Sequence, residues 1–116
     1  VLAAILLTLM VACDKGARSF DSVTAIASAL EDGGVDCQGL QQGDTAKLVK
    51  ESGSCAFDGG ELEIYLFDGT EPRDKWVSFG HLTQRSLVIG PNWIVSSPND
   101  EKAGEVKDAI GGDLDA

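Results

Sequence analysis

The sequence predicts an α+β domain over residues 20–116, with its elements in the order α-β-β-α-β-β-α. Apolar residues recur at helical spacing in segments that are bounded by capping residues and glycines. Pairs of short strand-like segments flank turns that contain glycine. Apolar and polar residues alternate in a strand, which indicates a sheet with one covered face. We therefore expect a four-stranded antiparallel sheet that is packed on one face by helices.

The first helix is predicted from Asp21 to Asp32. Asp21 or Ser22 serves as its N-cap, and Gly33-Gly34 stops it. Its apolar residues follow the i, i+3, i+4, i+7 spacing of one helix face: Val23, Ile26, Ala27 and Leu30. This face is expected to point toward the core.

Two strands follow, from Gly53 to Phe57 and from Glu61 to Phe67, and the Gly-rich turn at residues 58–60 joins them. The side chains of the second strand alternate, with Leu62, Ile64 and Leu66 on one side and Glu61, Glu63 and Tyr65 on the other. One face of this hairpin is therefore expected to be buried and the other largely wet. The stretch 46–50 alternates weakly and is expected to extend or precede the first strand.

A second helix is predicted from Glu71 to His81. Thr70 can cap it, and Pro72 suits the first turn, where its missing N–H costs nothing. Its apolar surface consists of Trp76, Val77 and Phe79. A second hairpin then joins residues 86–89 to residues 93–96 through the tight turn Gly90-Pro91-Asn92.

The last helix is predicted to begin at Ser97-Pro98, with Ser97 as its cap and Pro98 at the first helical position. Asp100 and Glu101 favour the positive end of the helix dipole. The buried face is expected to hold Ala103, Val106 and Ile110. Gly111-Gly112 ends the helix.

An apolar run precedes the domain. Residues 1–12 are apolar except for Thr8, and they end directly before Cys13. Twelve helical residues cover roughly 18 Å, whereas a spanning helix must cross a hydrocarbon core of roughly 30 Å. A secretory signal has an apolar centre of about 7–15 residues and small residues at the cleavage site. The run therefore favours an export signal, and an uncleaved membrane anchor is the alternative.

The end of this run, Met10-Val11-Ala12-Cys13, resembles the lipobox of bacterial lipoproteins and departs from its usual pattern only at Met10. The resemblance implies that residues 1–12 are a signal peptide and that Cys13 carries a lipid after cleavage. Residues 13–19 then tether the domain to the extracytoplasmic face of the cell membrane. A diacyl anchor needs no insertion of protein into the bilayer. An ordinary cleaved secretory signal is the alternative.

The three cysteines of the chain support export. A secreted domain with an odd cysteine carries a free thiol, which is a liability in an oxidising compartment, and lipidation of Cys13 removes it. Cys37 and Cys55 then remain as the intramolecular disulfide pair. The loop that they close is worth about 3 kcal/mol. The alternative is two unpaired buried cysteines in a cytosolic protein.

The net charge of −10 excludes some function classes. Phosphates of nucleic acids and anionic lipid headgroups repel such a surface, so we expect neither nucleic-acid binding nor polybasic docking to a membrane. The charge keeps a small exported domain soluble. It also favours attraction of cations or of a basic partner.

Several short motifs accompany the lipobox: Gly34-Val35-Asp36-Cys37, Ser52-Gly53-Ser54-Cys55, Tyr65-Leu66-Phe67-Asp68, Arg73-Asp74-x-Trp76 and Gly90-Pro91-Asn92-Trp93-Ile94-Val95. Over nearly the full chain this pattern resembles small exported lipoproteins of actinobacteria. The resemblance implies a location and an architecture. It implies no established activity.

No catalytic constellation stands out. His81 is the sole histidine and is expected at the end of the second helix, where an imidazolium favours the negative end of the dipole. A catalytic base needs an oriented nucleophile, and no Gly-x-Ser-x-Gly motif or free cysteine accompanies it.

Zinc is not expected, since too few ligands remain once Cys37 and Cys55 pair. The carboxylates follow no EF-hand pattern and indicate a solvated acidic face, with a weak calcium site as the alternative. We expect no catalytic residue, no metal and no cofactor.

The aromatic residues are the candidates for binding a partner. Trp76 and Trp93 are expected to fill the core, with a binding platform as the alternative. Tyr65 and Phe67 are expected on the outward face of their strand, and a sheet face without helices is a docking surface. The candidate partner-binding residues are Tyr65, Phe67, Trp76 and Trp93.

Three function classes follow from these observations. The favoured class is a noncatalytic, lipid-anchored cell-envelope domain that binds an envelope protein or a small ligand or acts structurally. The second is an acidic inhibitor or sensor module of a basic extracytoplasmic target. The third is an envelope hydrolase.

Overall fold

This computed structural model describes residues 17–78 and 85–115 of the chain. These residues contain three helices and six antiparallel strands. The helices are α1 (Val23–Asp32), α2 (Thr70–Ser78) and α3 (Asp100–Ile110). The strands are β1 (Gln38–Gln42), β2 (Glu51–Phe57), β3 (Gly60–Leu66), β4 (Ser86–Ile89), β5 (Trp93–Ser97) and β6 (Asp113–Asp115). The predicted α+β class is confirmed.

The strands form one sheet in the order β1-β2-β3-β5-β4-β6, and all neighbouring strands are antiparallel. The prediction of four strands is wrong, because each edge carries an additional strand. Side chains of β1 and β6 are exposed at nearly every position, so no alternation of apolar residues marks these strands in the sequence. Pairing with a single neighbour holds them in the sheet. The stretch 46–50 contains no strand.

One face of the sheet, here called the first face, is covered by α1 and α3. α1 begins after Ser22, whose hydroxyl accepts a hydrogen bond from the Ala25 N–H at 3.0 Å. The main core contains these fully buried residues: Val23, Ile26, Leu30, Leu62, Ile64, Trp93, Val95 and Val106. The predicted apolar stripe of the first helix is therefore confirmed as its core-facing side.

The second helix lies against the opposite face of the sheet. The Trp76 ring centroid is 4.7 Å from that of Tyr65 and 5.9 Å from that of Phe67. The expectation that all helices pack on one face is thus wrong for α2. No residue of α2 is fully buried, so this helix has no apolar stripe that would place it in the main core. The last residues of the predicted helix, 79–81, lie outside the described residues.

The last helix begins later than the sequence predicts. Asn99 is its N-cap, and the Asn99 side-chain oxygen accepts a hydrogen bond from the Lys102 N–H at 2.9 Å. Ser97, the predicted cap, is instead the last residue of β5, where it pairs with Ser86 of β4. Its buried hydroxyl has no hydrogen-bond partner among the described residues. Strand pairing therefore extends through Ser97 and moves the helix start toward Asp100.

Residues 17–20 are fixed to one end of the sheet. The Asn92 side chain accepts a hydrogen bond from the Phe20 N–H at 3.1 Å and donates one to the Phe20 carbonyl oxygen at 2.8 Å. The Trp93 indole Nε1 donates to the Arg18 carbonyl oxygen at 2.9 Å. We call this part of the domain the Trp93 end, and define it as residues 17–20, the turn at 90–92 and Gly111-Gly112. Part of the predicted tether, 13–19, thus contacts the domain, while residues 13–16 lie outside the described residues.

The other end of the sheet carries the tight turn between β2 and β3. Asp58 and Gly59 form this turn with positive φ angles of 50° and 83°, the conformation that a two-residue hairpin requires. α3 begins beside it, since the Lys102 Nζ lies 3.1 Å from an Asp58 carboxylate oxygen and 5.0 Å from the centre of the Phe57 ring. We call this the Phe57 end, defined by the 57–60 turn and the start of α3.

Cys37 and Cys55 form a disulfide bond, with their Cα atoms 5.1 Å apart. Both cysteines are buried. The bond joins the segment that leaves α1 to the centre of β2, so it fixes the edge strand β1 at its start. None of the helices within the described ranges is long and apolar enough to cross a membrane.

Candidate functional site

The sheet face opposite α1 and α3, here called the second face, is the candidate functional site. Successive strand residues point to opposite faces, so the residues between the core positions of β2–β5 lie on it. They are Ser52, Ser54, Ala56, Glu61, Glu63, Tyr65, Leu87, Ile89, Ile94 and Ser96. α2 covers the part of this face at the Trp93 end, and polar side chains occupy the part toward the Phe57 end.

Aromatic and aliphatic residues build the covered part. Val49, Phe67 and Ile94 are buried, and Tyr65 and Trp76 are partly buried against them. Leu66 points into the main core, and the next residue, Phe67, points into this smaller cluster. Both sides of the chain are buried at this point because helices lie on both faces. This burial on both sides explains why the apolar pair Leu66-Phe67 interrupts the alternation in the sequence.

Arg85 joins three strands at the polar part of the second face. Its guanidinium donates to the Ser96 hydroxyl at 2.7 Å, to the Ser96 carbonyl oxygen at 2.8 Å and to the Glu61 carbonyl oxygen at 2.6 Å. The Arg85 Nε also lies 3.9 Å from a Glu63 carboxylate oxygen. Charge-assisted hydrogen bonds of this kind are the strong ones. They hold the guanidinium against the sheet, with the Glu63 carboxylate beside it.

Tyr65 extends this polar group toward the aromatic residues. Its hydroxyl donates a hydrogen bond to the Glu63 carboxylate at 2.9 Å. Burial, the hydrogen bond to Glu63 and the negative charge of Glu63 together raise the pKa of Tyr65 to about 12. The phenol therefore stays protonated and keeps Glu63 as its acceptor at physiological pH. Tyr65 and Glu63 thus form a fixed pair that presents an aromatic edge next to a carboxylate.

A shallow depression of about 400 Å³ lies beside this pair, toward the free edge of the sheet. Its lining residues are Gln38, Gly39, Gln41, Ser54, Cys55, Ala56 and Glu61. Amide, hydroxyl and carboxylate groups surround a floor of small side chains. The depression can therefore accept polar or extended groups through hydrogen bonds.

Of the four candidate partner-binding residues, two are buried. Trp93 is 0% exposed in the main core, and Phe67 is 1% exposed in the cluster under α2. They pack inside the domain and form no part of its surface. Tyr65 and Trp76 are partly exposed and neighbour each other on the second face.

Two other candidate residues, Cys13 and His81, lie outside the described residues. In the part of the chain that the structure describes, no three His, Cys, Asp or Glu side chains are placed to hold a metal ion.

The sequence missed the residues that organise the polar part of the site. Arg85 directly precedes a predicted strand, and a lone cation next to an apolar segment gives no sign that it will bind two other strands. Gln38 and Gln41 belong to an edge strand that has no apolar alternation. The outward positions of Glu61, Glu63 and Tyr65 were predictable from alternation and are confirmed by the pairing of β3.

No protein-family model, curated protein or solved structure is significantly similar to this chain.

Proposed function

We propose that this chain is a lipid-anchored cell-envelope protein, attached through Cys13 to the extracytoplasmic face of the cell membrane. Its small domain is noncatalytic and binds an envelope protein through the second face of the sheet. The motifs that resemble actinobacterial exported lipoproteins support the location. No cofactor takes part.

The disulfide supports export. Disulfides persist in oxidising compartments and are rare in the cytosol. Cys37 and Cys55 are bonded, which leaves Cys13 as the single cysteine outside the bridge. The apolar run that ends at Cys13 supplies the export signal, and the lipobox-like residues before it supply the acylation signal.

The contrast between the two sheet faces supports binding. Helices close the first face over a core of fully buried residues. The second face instead presents the partly exposed Tyr65 and Trp76 beside Glu61 and Glu63. Aromatic residues with polar groups around them are typical of protein interfaces. This partly exposed aromatic pair next to a polar depression is the observation that carries the proposal.

Acylation of Cys13 is expected in protein isolated from the membrane fraction of the producing bacterium. Mass spectrometry should show a chain that begins at Cys13 and carries a diacylglyceryl modification. Cys13→Ser should abolish both the modification and the membrane association, since a serine cannot form the thioether. An uncut, unmodified chain in the cytosolic fraction would exclude the anchor.

Substitution of Ala56 by arginine should abolish binding of the partner without unfolding the domain. Ala56 is exposed in the depression, so a long charged side chain there blocks the second face. The matched control is Leu114→Arg, which adds the same charge at a 48% exposed position on the opposite edge of the sheet. In crosslinked membranes, a protein that is captured by the wild type and by Leu114→Arg but not by Ala56→Arg supports the proposal. Equal capture by all three chains would contradict it.

The net charge of −10 favours a second candidate function, an acidic inhibitor or sensor module of a basic target. Exposed charges interact over about 8 Å at physiological ionic strength and about 3 Å at 1 M salt. Capture by such a module should fall steeply with salt, and Leu114→Arg should weaken it about as much as Ala56→Arg. Capture that depends on Ala56 and resists salt favours the first function.

A further inference from the structure

We propose that the Trp93 end of the domain faces the membrane and that the second-face depression, at the Phe57 end, points away from it toward the envelope. This inference rests on the proposed acylation of Cys13. It identifies the side from which a partner reaches the protein, since a binding surface far from the bilayer meets envelope proteins and not lipid.

The chain enters the domain at the Trp93 end. The Phe20 backbone is held by both polar groups of the Asn92 side chain, and the Arg18 carbonyl oxygen is held by the Trp93 indole. Ala17 packs against the core and lies close to Gly111. A Cβ atom on Gly111 would lie 3.3 Å from the Ala17 Cα. The chain is therefore fixed at the Trp93 end from Ala17 onward.

The connection between the lipid on Cys13 and this fixed point is short. Four residue steps separate Cys13 from Ala17. Even a fully extended chain covers only about 3.3–3.6 Å per residue, so the Cα atom of Ala17 lies within about 14 Å of the acylated cysteine. The lipid on Cys13 holds that residue at the level of the headgroups, and the Trp93 end stays close to them.

The depression lies toward the opposite end of the sheet. Its residues Ala56 and Glu61 pair with each other near the Phe57 end, whereas Leu66 pairs with Trp93 at the opposite end of β3. Five residue steps separate Glu61 from Leu66, and three steps separate Leu66 from Glu63, the strand partner of the depression residue Ser54, so a rise of about 3.4 Å per residue places the depression about 10–17 Å from Leu66. A domain held at the Trp93 end therefore carries the depression at the end of the sheet that is farther from the headgroups.

Charge does not produce this orientation. The charged residues at or near the Trp93 end have both signs: Arg18, Asp21, Lys50, Asp68, Arg73, Asp74, Lys107 and Asp113. Basic side chains do not outnumber acidic ones among them, so this end has no net positive charge that would draw it to anionic lipids. The short covalent connection sets the orientation, which is expected to be insensitive to salt.

Fluorophores placed at the two ends test the proposal in the full chain. Asp68→Cys places a label near the Trp93 end at a side chain that is 78% exposed, and Ala56→Cys places one in the depression. The disulfide and the acyl thioether keep the native cysteines unreactive. Spin-labelled lipids added to isolated membranes should quench the Asp68 label several-fold more strongly than the Ala56 label, at low and at high salt alike. A control with about 20 Gly and Ser residues inserted after Gly16, which span about 25 Å on average, should remove the difference.

The outcomes separate the two proposals, because mass spectrometry of Cys13 accompanies the quenching. An acylated chain whose two labels are quenched equally overturns the orientation and leaves the anchor standing. An acylated chain whose Ala56 label is quenched more strongly reverses the orientation and overturns it as well. An unacylated Cys13 overturns both proposals.

Discussion

Trp93→Ala is expected to lower the free energy of unfolding by about 3–5 kcal/mol, the range observed for truncation of a large buried aromatic residue. Trp93 is 0% exposed, and its indole N–H donates to the Arg18 carbonyl oxygen. Gly90 and Gly112 lie close against the ring. A Cβ atom on Gly90 would come within 2.0 Å of the indole. Truncation therefore leaves a cavity and removes the hydrogen bond to the Arg18 carbonyl oxygen.

Trp76→Ala is the matched control for this change. The Trp76 ring contacts Tyr65 and Phe67 but is only partly buried, so less apolar area returns to water when it is removed. Denaturant unfolding of both variants should give a clearly smaller loss for Trp76→Ala. Equal losses would contradict the full burial of Trp93 and the partial exposure of Trp76.

Loss of the disulfide is expected to cost about 3 kcal/mol, within the range of about 2–5 kcal/mol for a native bridge in a small secreted domain. The bond closes a loop whose ends are 18 residues apart in sequence, and it restricts the unfolded chain. It also holds β1, an edge strand with exposed side chains, next to β2. The variant with both Cys37 and Cys55 changed to Ser should therefore unfold at a lower denaturant concentration and a lower temperature.

Reductant provides the internal control for the bridge. Treating the wild type with reductant should shift its unfolding midpoint toward that of the double Ser variant, while the same treatment should leave the variant unchanged. A melting curve of the double variant that matches the oxidised wild type would disprove a stabilising bridge.

The elements with strong local signals were predictable. Ser22 caps α1 as expected, and the two hairpins form where alternation and turn residues indicate them, because capping and pleating depend on neighbouring residues. The start of α3 was not predictable at Ser97. The hydroxyl of Ser97 is a plausible cap in sequence, but Ser97 pairs with Ser86 across the sheet, and this distant contact decides the boundary.

The candidate site was predictable in part. Alternation in β3 places Glu61, Glu63 and Tyr65 on one face, and the structure confirms it. Phe67 was expected on a surface, but α2 buries it. The contribution of Arg85 depends on the pairing of β3 with β5 and of β5 with β4, which brings Glu63 next to Ser96. No sequence signal encodes that pairing.

The sequence by itself determined the α+β class, the core-facing side of α1, the two hairpins and the choice of Cys37 and Cys55 as a pair, because each depends on a local period, a turn or a residue count. The tertiary structure decided the strand order, the two edge strands, the face that α2 covers and the residues that remain exposed for a partner. These features arise from pairing between segments far apart in the chain, where burial on both sides of a sheet and ladder hydrogen bonds outweigh local preference.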